Sequence, residues 1–208
     1  LAFSGFFTMM GFFVPFIYIV DRAEKAGIDK DSAVFLLSAI GIFNTVARIL
    51  CGWLSSLQGV SALHLNNIFI TAGGIATIFS GMFVSVFSQW VYTCIFGITC
   101  ACFSALRSII VVDLLGLDKL TNAFGILLLF QGIAAIFGSP LAGMSFFFWS
   151  FKNYLLISGF LYDVTGSYDL PFYVAGGLIT FSGVLCFPLN YVKKWQEERG
   201  NKRKVAAA

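Results

Sequence analysis

The chain has 208 residues, of which 59% are hydrophobic and only 11% charged, with a formal net charge of +3 at pH 7. A mean hydropathy of +0.90 exceeds what the surface of a water-soluble domain tolerates, so the composition leaves no soluble domain of useful size and indicates an all-α integral membrane protein. The basic residues are unevenly placed, six of the thirteen falling between Lys193 and Lys204; a cluster just past a hydrophobic segment marks a cytoplasmic flank and implies no nucleic-acid partner.

Runs of about 20 apolar residues, the length a helix needs to cross the hydrocarbon core, occur at 1–20, 32–57, 67–87, 90–112, 121–143 and 172–192. With the basic tail, 193–208, placed inside, this even count puts the start of the first span inside as well and the loop Asp21–Asp31 outside. The chain opens at Leu1 in an already apolar run, with neither Met nor a basic leader. That is unlike a signal peptide, and the expectation is a fragment of a longer protein.

The second span carries the most informative residue. Arg48 lies inside a segment otherwise apolar enough to cross a bilayer. An arginine there costs roughly 2.5–3.5 kcal/mol on insertion scales and is kept where it faces a water-filled cavity, pairs, or reaches the headgroups. Asn44, four residues earlier, shares its helical face and makes a polar stripe that could line a transport pathway. The loop that follows holds His64, the one histidine, read as a residue of a solvated loop rather than a proton relay. Trp90 and Tyr92 open the fourth span, where amphipathic aromatics settle at an interface.

Near the end of the fourth span comes Arg107, about two turns from the cytoplasmic surface. It is read equally well as reaching that surface or as lining the pathway. Asp113, Asp118 and Lys119 belong to the surface, and Thr121 is placed to cap the fifth helix. The fifth span contains Gly125, Gly132, Gly138, Pro140 and Gly143, a set that permits close helix contact and a bend, with Gln131 its central polar side chain. The five cysteines, Cys51, Cys94, Cys100, Cys102 and Cys186, all fall in apolar segments without His or carboxylate neighbours at ligand spacing. They are read as core residues, with no disulfide framework and no metal site. Neither a nucleophile and base pair nor a metal cluster is visible, so no enzyme activity and no cofactor are expected. A channel would show a charged ring or a filter-like loop, and none is apparent.

Several segments converge on one family. NTVARILCGWL in the second span, the junction VVDLLGLDKLTNAFGILLLFQG, and then GSPLAG and LYDVTGSYD resemble the C-terminal half of the monocarboxylate transporters of the major facilitator superfamily. The likeness runs along nearly the whole chain. It implies six transmembrane helices equivalent to the second half of a twelve-span carrier, a cytoplasmic C-terminus and a plasma-membrane location. It also implies alternating-access transport of a small monocarboxylate, lactate-like or somewhat larger.

By the same resemblance Arg48 binds the substrate carboxylate, which suits a guanidinium that is always charged and can hold two oxygens at once. Many proton-coupled members have an aspartate where this chain has Asn44. An amide can hydrogen-bond but cannot titrate, so a co-transported proton is in question. Cys100 falls where lactate carriers have a phenylalanine bounding the pocket, leaving room for a larger substrate. Arg107 has no counterpart in those members and stands as a further substrate-binding candidate on its charge alone. Some members associate with a single-span immunoglobulin-like accessory glycoprotein. The alternative reading is a truncated, non-transporting half of such a carrier.

One stretch departs from the pattern. Between GSPLAG and LYDVTGSYD the family has almost nothing, whereas this chain has MSFFFWSFKNYLLISG, Met144–Gly159. Gly-Met-Ser can be written GGT ATG AGT, which contains a splice-donor sequence, and Ile-Ser-Gly as ATT TCA GGN, which ends in an acceptor, both in one phase. The expectation is that 144–159 is a retained intron or a gene-model artefact.

Overall fold

The computed structural model describes residues 1–25, 27–57, 60–82, 85–141 and 169–188. Both the 144–159 insertion and the basic tail 193–208 lie outside these described residues. Six α-helices are described: α1 (Ala2–Lys25), α2 (Lys30–Ser55), α3 (Ala62–Met82), α4 (Val86–Leu115), α5 (Leu120–Leu141) and α6 (Asp169–Leu185), with a 3₁₀ turn at Leu117–Lys119 before α5. Five of them are long and apolar enough to cross a membrane; α6, with 17 residues, is apolar but shorter.

The helix limits follow local chemistry. Ser85 caps α4, its Oγ accepting a hydrogen bond from the Ser88 N–H at 3.3 Å, so α4 starts before Trp90. Gly116, at φ +77°, ends α4 in a conformation that costs glycine little. The chain then winds through the 3₁₀ turn straight into Leu120, which puts Thr121 inside the first turn of α5 rather than at its cap. His64 is exposed but sits in the first turn of α3, not in a loop, because that helix begins at Ala62. Helix α1 continues to Lys25, beyond the apolar run that ends at Val20, and so takes in Asp21 and Arg22.

Tight packing depends on small residues. Helices α3 and α6 lie against each other: a Cβ added at Gly176 would stand 2.7 Å from the Ile78 nitrogen and 2.8 Å from the Gly74 carbonyl oxygen. At Gly97 of α4 an added Cβ would be 2.9 Å from the Ile40 carbonyl of α2. In a bilayer, where lipid is as apolar as leucine, such close backbone approach supplies much of the helix–helix attraction. Helix α5 behaves differently. Added methyl groups at Gly125 or Gly132 would meet nothing within 4 Å, and Ile126, Leu128, Leu129, Ile136 and Phe137 are exposed. The helix lies mainly against α1, with a smaller contact to α4.

An aromatic cluster joins α1, α4 and α6. Phe12 meets Phe103 at 5.0 Å between ring centres and Phe96 at 5.5 Å, both nearly edge-on, and Tyr92 meets Phe172 at 6.0 Å. Tyr92 is therefore a buried core residue, 3% exposed, and shares a hydrogen bond with Thr77. Trp90 remains exposed at 38%.

Candidate functional site

Helix α2 presents the central pair. Asn44 and Arg48 are one helical turn apart, so their side chains meet on one face, and Arg48 Nε donates to Asn44 Oδ1 at 2.8 Å. Asn44 is half-buried and Arg48 exposed. Only Ala33, Leu36, Ala39, Ile40, Ala47 and Cys51 of α2 are buried, so the arginine stands on a flank the bundle leaves open. Because the amide engages Nε, the two terminal nitrogens remain available to grip a carboxylate through parallel bonds. Cys100 is buried on α4, in a core cluster that includes Ile40 of α2. The structure thus pairs Arg48 with Asn44 and sets Cys100 on the helix that packs against α2.

Arg107 is placed elsewhere. It is 3% exposed, its guanidinium lies 4.1 Å from the centre of the Phe103 ring, and Nη1 donates to the Leu1 carbonyl at 3.5 Å. The absent side chain of Gly5 leaves the space that the guanidinium fills. Its Nε and Nη2 find no hydrogen-bond partner among the described residues. The side chain stays inside the bundle, between α4 and α1, with the Phe103 ring face and the Leu1 carbonyl beside its charge.

A third arginine is not visible as a site from the sequence. Arg22, 2% exposed, donates from Nη1 to Ser80 Oγ at 2.8 Å and from Nη2 to the Ser80 carbonyl; its guanidinium lies 4.6 Å from the Phe172 ring centre, within electrostatic reach of Asp169. It fastens the end of α1 to α3 and α6. In sequence it belongs to DRAEKAGIDKD, which reads as a charged loop. The available signal was periodicity, since Gly11, Pro15, Tyr18, Ile19, Arg22 and Ala23 continue one buried stripe.

Other polar groups also serve packing. Ser4 and Ser182 share a hydrogen bond of 2.8 Å, and Ser182 Oγ donates to the Ser4 carbonyl at 2.7 Å, linking α1 to α6. A groove of about 270 Å³ between α3 and α4 is walled by Phe79, Phe87, Val91 and Ile95 and is almost wholly apolar. None of Asn44, Arg48, Cys100 or Arg107 lines it. Among the described residues no group of three His, Cys, Asp or Glu side chains could hold a metal ion.

Comparison with known proteins places this bundle. The family model described as Major Facilitator Superfamily matches residues 1–207. Among similar proteins, monocarboxylate transporter 3 of Rattus norvegicus is 29% identical over 190 residues, covering 90% of this chain and 36% of that protein. Monocarboxylate transporter 10 of Rattus norvegicus is 30% identical over 195 residues (91% and 34%), and monocarboxylate transporter 4 of Gallus gallus 27% over 202 residues (95% and 39%). The chain therefore spans little more than a third of the length of these relatives. With its membrane-spanning helices and a family match running almost end to end, the chain belongs to the major facilitator superfamily.

Proposed function

We propose that this chain is the C-terminal six-span half of a carrier for a small monocarboxylate, with Arg48 as the group that receives the carboxylate. One observation carries the reading: on a helix otherwise apolar, the arginine is exposed on the bundle's open flank and held by Asn44 at 2.8 Å. A guanidinium oriented in advance loses less freedom on meeting its ligand, so more of the charge-assisted bond appears as affinity. The names of the relatives, monocarboxylate transporters 3, 4 and 10, supply the substrate class.

In this reading the substrate sits near the membrane midplane, between this bundle and an opposite wall, and alternating access moves the two walls about it. Asn44 sets the angle of the guanidinium, and Cys100 bounds the pocket with a small side chain. Arg107, buried beside Phe103, adds positive potential behind the site rather than direct contact. Because Asn44 cannot take up a proton, transport through this pair is facilitative or uses a proton site elsewhere. We place the protein in the plasma membrane with its C-terminus cytoplasmic, from the basic cluster at Lys193–Lys204.

A second reading, favoured by the open flank of α2, is that these 208 residues bind the anion but do not move it unaided. Radiolabelled uptake of lactate, pyruvate and larger 2-oxo acids by membranes carrying the chain separates the two. Uptake that exceeds the empty-vector level and is lost in Arg48→Ala supports the carrier. Substrate-dependent thermal stabilisation without uptake, again lost in Arg48→Ala, supports the second reading. Neither response in a folded protein rejects Arg48 as the carboxylate site.

A further inference from the structure

Two cysteines that are 51 positions apart in sequence meet inside the bundle. Cys51 of α2 and Cys102 of α4 are both free and buried, at 4% and 0% exposure, and their sulfurs are 2.8 Å apart. Leu63, Leu106 and Ile110 close around them. The three remaining cysteines have no such contact: Cys94 is half-buried at another level of α4, Cys100 is turned away by two residues of helix, and Cys186 lies in the turn after α6.

We propose that Cys51 and Cys102 form a reversible redox site, a disulfide bridging α2 to α4 that closes when a peroxide reaches the membrane. The proposal does not rest on the transport reading. Its argument is proximity together with the chemistry of the enclosure. Cysteines on different helices are joined only where their Cα and Cβ atoms already lie within a narrow range of separation, and sulfurs that stand 2.8 Å apart across the α2–α4 interface need close by only about 0.8 Å to reach bonding distance. The Gly97 close approach to Ile40 holds the same two helices together. A charged oxidant is kept from this apolar site, whereas hydrogen peroxide is neutral and little larger than water.

The steps balance. The sulfur of Cys51, the more exposed of the two, attacks one peroxide oxygen; the O–O bond breaks, a sulfenic acid forms, and one water leaves. The sulfur of Cys102 then attacks the Cys51 sulfur; the S–S bond forms, the S–O bond breaks, and the hydroxyl departs as a second water with the thiol proton. Two thiols have lost two electrons in total and the peroxide has gained them. A dithiol reductant reverses the change. The bridge ties α2, which carries Arg48 one turn before Cys51, to α4.

Peptide mapping tests this on the full chain in membranes. After hydrogen peroxide treatment, denaturation in N-ethylmaleimide and chymotryptic digestion without reductant, the Cys51 and Cys102 peptides should be recovered as one species that dithiothreitol separates. Two of the five cysteines should lose their maleimide adducts together. Cys51→Ser should leave Cys102 alkylated, and Cys100→Ser should leave the cross-link intact. The proposal is overturned if both thiols remain alkylated at a peroxide dose that oxidises Cys94, or if either pairs as readily with Cys94, Cys100 or Cys186. The wild-type map decides the matter even if a variant fails to fold.

Discussion

An arginine in a membrane helix is costly wherever it is, and this chain keeps three with three different environments. Arg48 is exposed and held by one amide, Arg22 is buried and hydrogen-bonded, and Arg107 is buried against an aromatic ring. In the proposed carboxylate site, the planar fork of Arg48 matters more than its charge. Arg48→Lys should remove one charge-assisted hydrogen bond of about 1.5–3 kcal/mol, raising the apparent KM for uptake roughly ten- to a hundredfold. Uptake at the unmodified level would remove Arg48 from the site. Asn44→Asp places a titratable carboxylate beside the nitrogen that Asn44 now holds at 2.8 Å, and the pH profile of uptake should then gain a titration that the parent's profile does not contain. The same profile in both would mean that position 44 does not face the substrate. For Arg22, Ser80→Ala deletes the acceptor of Nη1, leaving a buried donor unmet. The cost should be about 1.5–3 kcal/mol, seen as a lower melting temperature in detergent with substrate binding unaltered.

At the scale of helices, the small residues divide into two groups that look alike in sequence. Those of α3, α4 and α6 let backbones touch, as at Gly176 and Gly97, while Gly125 and Gly132 of α5 face open space. Gly176→Leu should force α3 and α6 apart. Overpacking of this kind costs about 1–3 kcal/mol and should appear as early loss of the monodisperse peak when detergent extracts are heated. Gly125→Ala has no such neighbour and should leave the heating curve unchanged or slightly improved, since alanine is favoured over glycine within a helix by about 0.5–1 kcal/mol. If the two variants melt alike, the α3–α6 contact does not carry this packing. The glycine-rich fifth span was the natural place to look for close contacts from composition alone. The packed glycines are scattered through spans where nothing marks them, because a glycine shows its use only when the opposing backbone is known.

For the whole molecule, the bundle is asymmetric in what it covers. Helices α3 and α6 close against each other, whereas α2 and α5 expose long apolar flanks, including Ile42, Val46, Ile49, Trp53, Leu129 and Ile136. Such surface is compatible with lipid or with further protein. Topology can be checked directly. An epitope fused after Ala208 should be stained in permeabilised cells and not in intact ones; staining of intact cells would invert the orientation drawn from Lys193–Lys204. Full-length transcript reads across codons 144–159 test the proposed intron, which is rejected if most reads retain the segment.

Much of this protein was determined by its sequence alone, because the signals involved are local. Hydropathy over twenty residues fixes where the apolar helices run, motifs such as NTVARILCGWL carry the family likeness, and a charge inside an apolar run singles out Arg48 on its own. With Asn44 one turn away, even the hydrogen bond between them follows from helical spacing. The tertiary structure decided whatever depends on a partner distant in the chain. It turned Arg22 from a loop charge into a clasp on Ser80, took Arg107 into the interface with α1, and set Cys51 against Cys102. The physical reason is the same in each case: a side chain's desolvation and its partners are properties of two or three helices at once, and no window along a single helix contains them.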